Sequence, residues 1–319
     1  VTNPEADPKL IMSFTDTSLG LTTSYPAVLR VNPTADPKTD NTNAKWVMTV
    51  GSGPTGYDAS SAQTGKMFAI NLATGPGAGN SLVTTFATSD ANSFMGDVSS
   101  VDVNLDYRAD VVYWGDVITG TSPAWTGKLY RLTTGTTAPF GGTTTPTTWG
   151  FSQQPTVLLA DFLDPVVNRT GGPITAAPTV TTDEASKVWV FWGTGRYYSA
   201  VDKTNADTQY LFGVKDPVVT AACTQSSLTS CEKDNLLDVS AATICVVGQG
   251  TCGTTTNQVT GVTDGVTTAT SFSGSSSTAL EYMVQSKDGW FATLPAARER
   301  SVVSPTLIGG TVFFPTFIP

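Results

Sequence analysis

Apolar residues recur along this chain in short bursts that alternate with polar positions and close on glycine or a polar turn, as in SYPAVLRV, WVMTVGSG, GKMFAINLATG, GKLYRLTTG, APTVTT, KVWVFWGTG and QYLFGVKD. A two-residue period bounded by glycine, asparagine, aspartate and serine predicts strands, because alternate side chains of a strand point to opposite faces. No segment carries the longer apolar period of a convincing long helix, so the expected class is all-β.

The strands repeat. WVMTVGSG at 46–53, VVYWGDV at 111–117 and VWVFWGTG at 188–195 read as one strand ending in one kind of turn. TGKMFAINLATG at 64–75, TGKLYRLTTG at 126–135 and QYLFGVKD at 209–216 follow as counterparts of the next strand, and VVSPTLIGGTVFFPTF at 302–317 opens a further unit. SYPAVL at 24–29, SSVDVN at 99–104, TAAPTVTT at 175–182 and VSPTLIGG at 303–310 are the expected blade starts. A repeated meander that is incomplete alone and gains stability by stacking favours a modified β-propeller over a sandwich. Residues 1–319 are read as one propeller-like domain or fragment with long loops, and 218–275 as a cysteine-containing insertion within it.

Composition narrows the chemistry. With a net charge of -9 and 13% charged residues, the surface offers no basic patch to neutralise phosphates, which argues against nucleic acid. No apolar run is long enough for a membrane span. The cysteines Cys223, Cys231, Cys245 and Cys252 lack the close CxxC pairs of a structural zinc site in a chain with no histidine. They favour two disulfides of undetermined pairing, hence export through an oxidising compartment. Asn168 and Thr170 form an isolated glycosylation sequon.

The segment DVNLDYRAD at 102–110 sets oxygen-bearing side chains at the first, third, fifth and ninth positions of a calcium loop. Asp102, Asn104, Asp106 and Asp110 are the expected metal ligands, with the Arg108 carbonyl as a fifth donor. Position six is Tyr107 instead of glycine, and position twelve is Tyr113 instead of a bidentate glutamate, so a helix–loop–helix sensor is not expected. The loop leads into a strand, and Ca2+ there would act as a local cross-link. The competing reading is an acidic turn facing water. An enzyme would draw on Asp202, Asp207 and Glu281, whose separation in space the sequence does not fix. Arg196, Tyr197 and Tyr198 suggest either a recognition face or packing at a blade corner, and Asp202, Asn205 and Asp207 a less ordered second cation site.

DVNLDYRADVVYWGDV, TGKLYRL, VFWGTGRYY with DKTNADTQYLFGVKD, and DGWFATLPAARERSVVSPTLIGGTVFFPTF together resemble the C-terminal propeller region of the type IV pilus tip adhesin and biogenesis family, the PilY family. That resemblance implies an incomplete C-terminal portion of a larger propeller, with a calcium loop at Asp102, Asn104, Asp106, Arg108 and Asp110. It also implies a non-enzymatic role in pilus assembly and adhesion at the bacterial surface. The implied partners are minor pilins or pilus tip components, a surface receptor or glycan, and an N-terminal region or another chain that completes the propeller. An extracellular carbohydrate- or host-binding propeller is the alternative, and a carboxylate-dependent hydrolase a more distant one.

Overall fold

The computed structural model describes residues 13–32, 44–72, 82–120, 125–135, 147, 149, 155–164, 167–216, 235–245, 258–260, 262 and 284–319. Three antiparallel meanders dominate it. The first sheet is β1 (Ala27–Val31), β2 (Lys45–Gly51), β3 (Lys66–Asn71) and β4 (Leu82–Ala87), in that order. The second is β5 (Ser93–Val101), β6 (Val111–Ile118), β7 (Leu129–Thr133) and β8 (Thr156–Leu159). β9 (Asp161–Asp164) and β10 (Val167–Thr170) form a hairpin before the third sheet.

The third sheet runs β11 (Thr179–Thr182), β12 (Val188–Gly193), β13 (Tyr210–Asp216) and then a strand from much later in the chain. Between them lie β14 (Leu236–Asp238) and the hairpin of β15 (Thr243–Cys245) and β16 (Gln258–Thr260). The late strand is β17 (Gly289–Thr293), antiparallel to β13 and parallel to β14. A last hairpin, β18 (Thr306–Ile308) and β19 (Thr311–Phe313), stands beyond. The sheets are open-edged, and the whole is an all-β, loop-extended, incomplete propeller. Among the described residues, no helix is long and apolar enough to cross a membrane.

Alternation along β6 shows how the sheets stack. Val112 and Trp114 bury against Leu29, Val47 and Met67 of the first sheet, while Val111 and Tyr113 bury against Val190, Trp192 and Phe212 of the third. A strand buried on both faces must be apolar at nearly every position, and VVYW is. Phe162, from the β9–β10 hairpin, packs against Tyr210, Phe212 and Phe291 with ring centroids 4.7–5.1 Å apart, tying the hairpin to the third sheet.

The recurrent turn marks the junction between neighbouring sheets. Gly51, Gly115 and Gly193 sit where a Cβ would come within 2.2 Å of Met95 Cβ, 2.1 Å of Ile174 Cγ2 and 2.4 Å of Ser301 Cβ. The residues that follow, Ser52, Asp116 and Thr194, accept the N–H of the same three neighbours through their carbonyls at 2.8, 3.1 and 2.9 Å. Their side-chain oxygens then accept the N–H of Lys66, Lys128 and Tyr210 at 2.9, 2.7 and 2.8 Å, at the start of the third strand of each sheet or just before it. Glycine admits the neighbouring segment, and a short oxygen-bearing side chain holds the next strand in register.

One expected blade start moves. SSVDVN at 99–104 ends the first strand of the second sheet; that strand opens at Ser93 because Phe94 and Met95 bury against the preceding unit. The cysteine insertion contributes β14, β15 and β16, but Cys223, Cys231 and Cys252 lie outside the described residues, as does Glu281.

Candidate functional site

Residues 102–110 connect β5 to β6, so the loop is anchored at both ends in the second sheet. Short polar side chains fold back onto the backbone here. Asp102 Oδ1 accepts from Asp106 N at 3.1 Å and Asp102 Oδ2 from Tyr107 N at 2.6 Å, while Asn104 Oδ1 accepts from Asp106 N at 3.0 Å. Asp106 Oδ1 accepts from Arg108 N at 2.9 Å, and Asp110 Oδ2 from Val103 N at 2.8 Å. Such turns tighten the backbone of the loop.

Two backbone conformations complete the winding. Leu105 and Tyr107 adopt left-handed φ values of 59° and 69°, and both side chains are exposed. Tyr107 thus takes at position six the turn that a calcium loop ordinarily assigns to glycine, at the energetic cost that a Cβ imposes on that conformation.

The electrostatics are uneven. Asp110 is fully buried, its Oδ1 has no hydrogen-bond partner, and burial, reinforced by the charges of Asp102 and Asp106, raises its pKa to about 7. The Arg108 side chain returns to the loop: Nε donates to Asp106 Oδ2 at 2.8 Å and Nη2 forms an ion pair with the same oxygen. Burial disfavours charge on Asp106, but the Arg108 contacts prevail and hold its pKa below the usual carboxylate value. Arg108 is therefore the countercharge of the loop as it stands. Among the described residues, no three histidine, cysteine or carboxylate side chains converge closely enough to hold a metal ion. The donors are all hard oxygens, and the unpartnered Asp110 Oδ1 is an acceptor that a divalent cation or a proton would answer.

The other candidate residues have structural partners. Asp202 is buried and used on both oxygens, accepting from Arg196 Nε at 2.6 Å and from Tyr198 N and Ser199 N at 2.9 and 2.8 Å. Burial opposes its charge, yet these bonds keep its pKa low. Asp207 accepts from Asn205 Nδ2 at 2.8 Å while Asn205 Oδ1 accepts from Asp207 N at 3.1 Å, so these two side chains are engaged with each other. Arg196 lies 3.2 Å from the Trp125 ring centroid, Tyr198 packs edge-on against Phe94 and Tyr197, itself exposed, against Phe317.

Sequence reasoning missed a buried polar network between sheets. Arg131 on β7 forms an ion pair with Asp216 on β13, whose Oδ2 accepts from Tyr113 Oη at 2.7 Å, while Arg131 Nε donates to Thr156 Oγ1 at 2.9 Å. Arg131 and Asp216 are 1% and 4% exposed. Burial, then the Asp216 charge, holds the Tyr113 hydroxyl protonated far above its usual range. The available signal was an arginine sharing a strand face with the buried Leu129.

No family model matches the chain. Over 305 residues it is 23% identical to a protein of Xylella fastidiosa (strain Temecula1) named "Type IV pilus biogenesis factor PilY1 homolog", covering 87% of this chain and 16% of that protein. Its fold is similar to the crystal structure of the Pseudomonas aeruginosa PilY1 C-terminal domain, with a TM-score of 0.58 and 18% identity over 95% of this chain and 57% of the other. The chain is related to the PilY1 C-terminal domain. It spans about a sixth of the curated relative and little more than half of the solved PilY1 domain.

Proposed function

We propose that this chain is part of a type IV pilus biogenesis and tip-adhesion protein, working by binding and not by catalysis, and that the 102–110 loop takes a calcium ion. The concurrence of the sequence match to a protein named as a pilus biogenesis factor with the fold match to a PilY1 domain carries the first half. The expected setting is the bacterial surface, with minor pilins or tip components as partners. Association of the purified chain with pilus tip components in a pull-down, absent with an unrelated propeller, tests it; no association at any calcium level sinks it.

For calcium, the support is the oxygen spacing together with the left-handed turns at Leu105 and Tyr107 and the unpartnered Oδ1 of Asp110. Asp102, Asn104, Asp106, Asp110 and the Arg108 carbonyl would hold the ion, with Arg108 releasing Asp106 as the stronger cation arrives. The ion would supply the countercharge that three carboxylates need and fix the β5–β6 connection. Calcium at about a hundredfold excess over Kd is expected to stabilise the chain by about 2.7 kcal/mol, an effect lost in Asp106→Ala. Binding requires Asp110 ionised, so affinity is expected to fall as pH drops through about 7. Calorimetry showing no heat of binding, with melting unchanged by calcium, would end this reading.

A cleft of about 790 Å³ favours a glycan as a second ligand. Trp189, Phe191 and Trp290 line it beside Asp183 and Glu184, aromatic faces beside hydrogen-bond acceptors, as sugars require. Trp290→Ala is expected to abolish any glycan-array signal of the intact chain, and a signal that survives it places the sugar elsewhere.

A further inference from the structure

The three sheet junctions repeat one position with one chemical exception. Ser52 and Thr194 hold the third strand with a hydroxyl, and Asp116 does so with a carboxylate oxygen, Oδ1. The task needs one oxygen. Asp116 brings a second, Oδ2, that the sister positions lack, and it is buried with no hydrogen-bond partner.

Asp90, in the connection from β4 to β5, lies close enough to hydrogen-bond the Asp116 side chain. Asp90 Oδ1 already binds the Lys128 ammonium and its Oδ2 the Tyr130 hydroxyl. Asp90, Lys128 and Tyr130 are thus the titratable groups that face Asp116, from the β4–β5 connection, the residue before β7, and β7 itself. Two carboxylates cannot both stay ionised in contact inside a protein, and one ammonium, shared with a tyrosine on the Asp90 side, leaves Asp116 Oδ2 unanswered.

We propose that Asp116 and Asp90 share a proton, forming a pH-sensitive latch between the β4–β5 connection and the second sheet. Asp116 donates it, Asp90 accepts it alongside Lys128 and Tyr130, and the otherwise orphaned Oδ2 is satisfied. Burial and the neighbouring Asp90 raise the Asp116 pKa far above the carboxylate range, while the Lys128 N–H works in the opposite direction.

The sign of the effect follows from linkage. The folded chain keeps this proton to higher pH than the unfolded chain, whose aspartates release it near 3.8. The stabilisation is therefore complete below that value and is lost as pH rises through the elevated value of Asp116. The junction is tightest in acid and loosens toward alkali.

Asp116→Asn keeps the acceptor for Lys128 N–H and donates permanently to Asp90, and Asp116→Ser installs the sister-sheet residue. Melting temperatures of the three chains, measured without calcium from about pH 4.5 to about pH 9, read the latch; the titration of Asp110 is common to all and cancels. The wild type is expected to lose about 3 °C or more relative to Asp116→Asn across this range, with Asp116→Ser following the Asn slope. Parallel slopes for wild type and Asp116→Asn overturn the proposal. Should the variants fail to fold, the carboxyl carbon resonance of Asp116 in the wild type decides: a protonated shift near neutral pH supports the latch, and an ionised one refutes it.

Discussion

Arg131→Met is expected to destabilise the chain by about 3–5 kcal/mol, because it leaves the Asp216 carboxylate buried beside Tyr113 without its guanidinium. The loss follows from removing one partner. Taking two charges out of water is costly, and their attraction offsets that cost only while both are present. Urea denaturation of Arg131→Met and of Arg131→Met with Asp216→Leu separates the terms. The double variant is expected to recover much of the single loss, since an apolar pair of similar volume has no charge to strand. A single variant within about 1 kcal/mol of the wild type would show that water reaches Asp216 and relieves it.

Gly115→Val is expected to cost about 3 kcal/mol or more, at the upper end of overpacking effects. Its Cβ would meet the branched side chain of Ile174 at 2.1 and 2.2 Å and the Ile174 carbonyl oxygen at 3.0 Å. A flexible side chain can swing away from such an intrusion. Here the bond from Ile174 N to the Asp116 carbonyl at 3.1 Å holds the opposing backbone in place. Relief requires the second and third sheets to separate at this junction, exposing Tyr113 and Trp192. Calorimetric melting checks the loss, and a Gly115→Val chain that melts within about a degree of the wild type refutes the close approach.

The strands were legible where local pattern and burial agree. VVYWGDV and VWVFWGTG announce themselves because both faces of each are covered, which enforces apolar residues, and WVMTVGSG, with Trp46 exposed, shares with them a turn that needs glycine followed by a short acceptor. What glycine makes room for was not legible, since Met95, Ile174 and Ser301 are far away along the chain. The start of the second sheet was misplaced for a related reason. Ser93–Val101 mixes glycine, aspartate and serine with its apolar residues, and only packing against the first unit reveals the strand.

The 102–110 loop divides in the same way. Oxygen spacing is a property of the sequence and could be read directly. That Tyr107 tolerates the left-handed turn depends on its side chain standing in solvent, and that Arg108 turns back onto Asp106 depends on the neighbouring Asn32 carbonyl, which accepts from Arg108 Nη1 at 3.3 Å. Arg131 and Asp216 look like ordinary surface charges in sequence; only the packing of the second sheet on the third brings them together.

The glycine–acceptor doublet also serves as a counting rule. Gly51-Ser52, Gly115-Asp116 and Gly193-Thr194 keep their geometry while the second residue changes freely among serine, aspartate and threonine. In diverged chains of this architecture, a short, mostly apolar strand closed by glycine and any short oxygen-bearing residue would tally sheet junctions where residue-by-residue alignment has lost its signal.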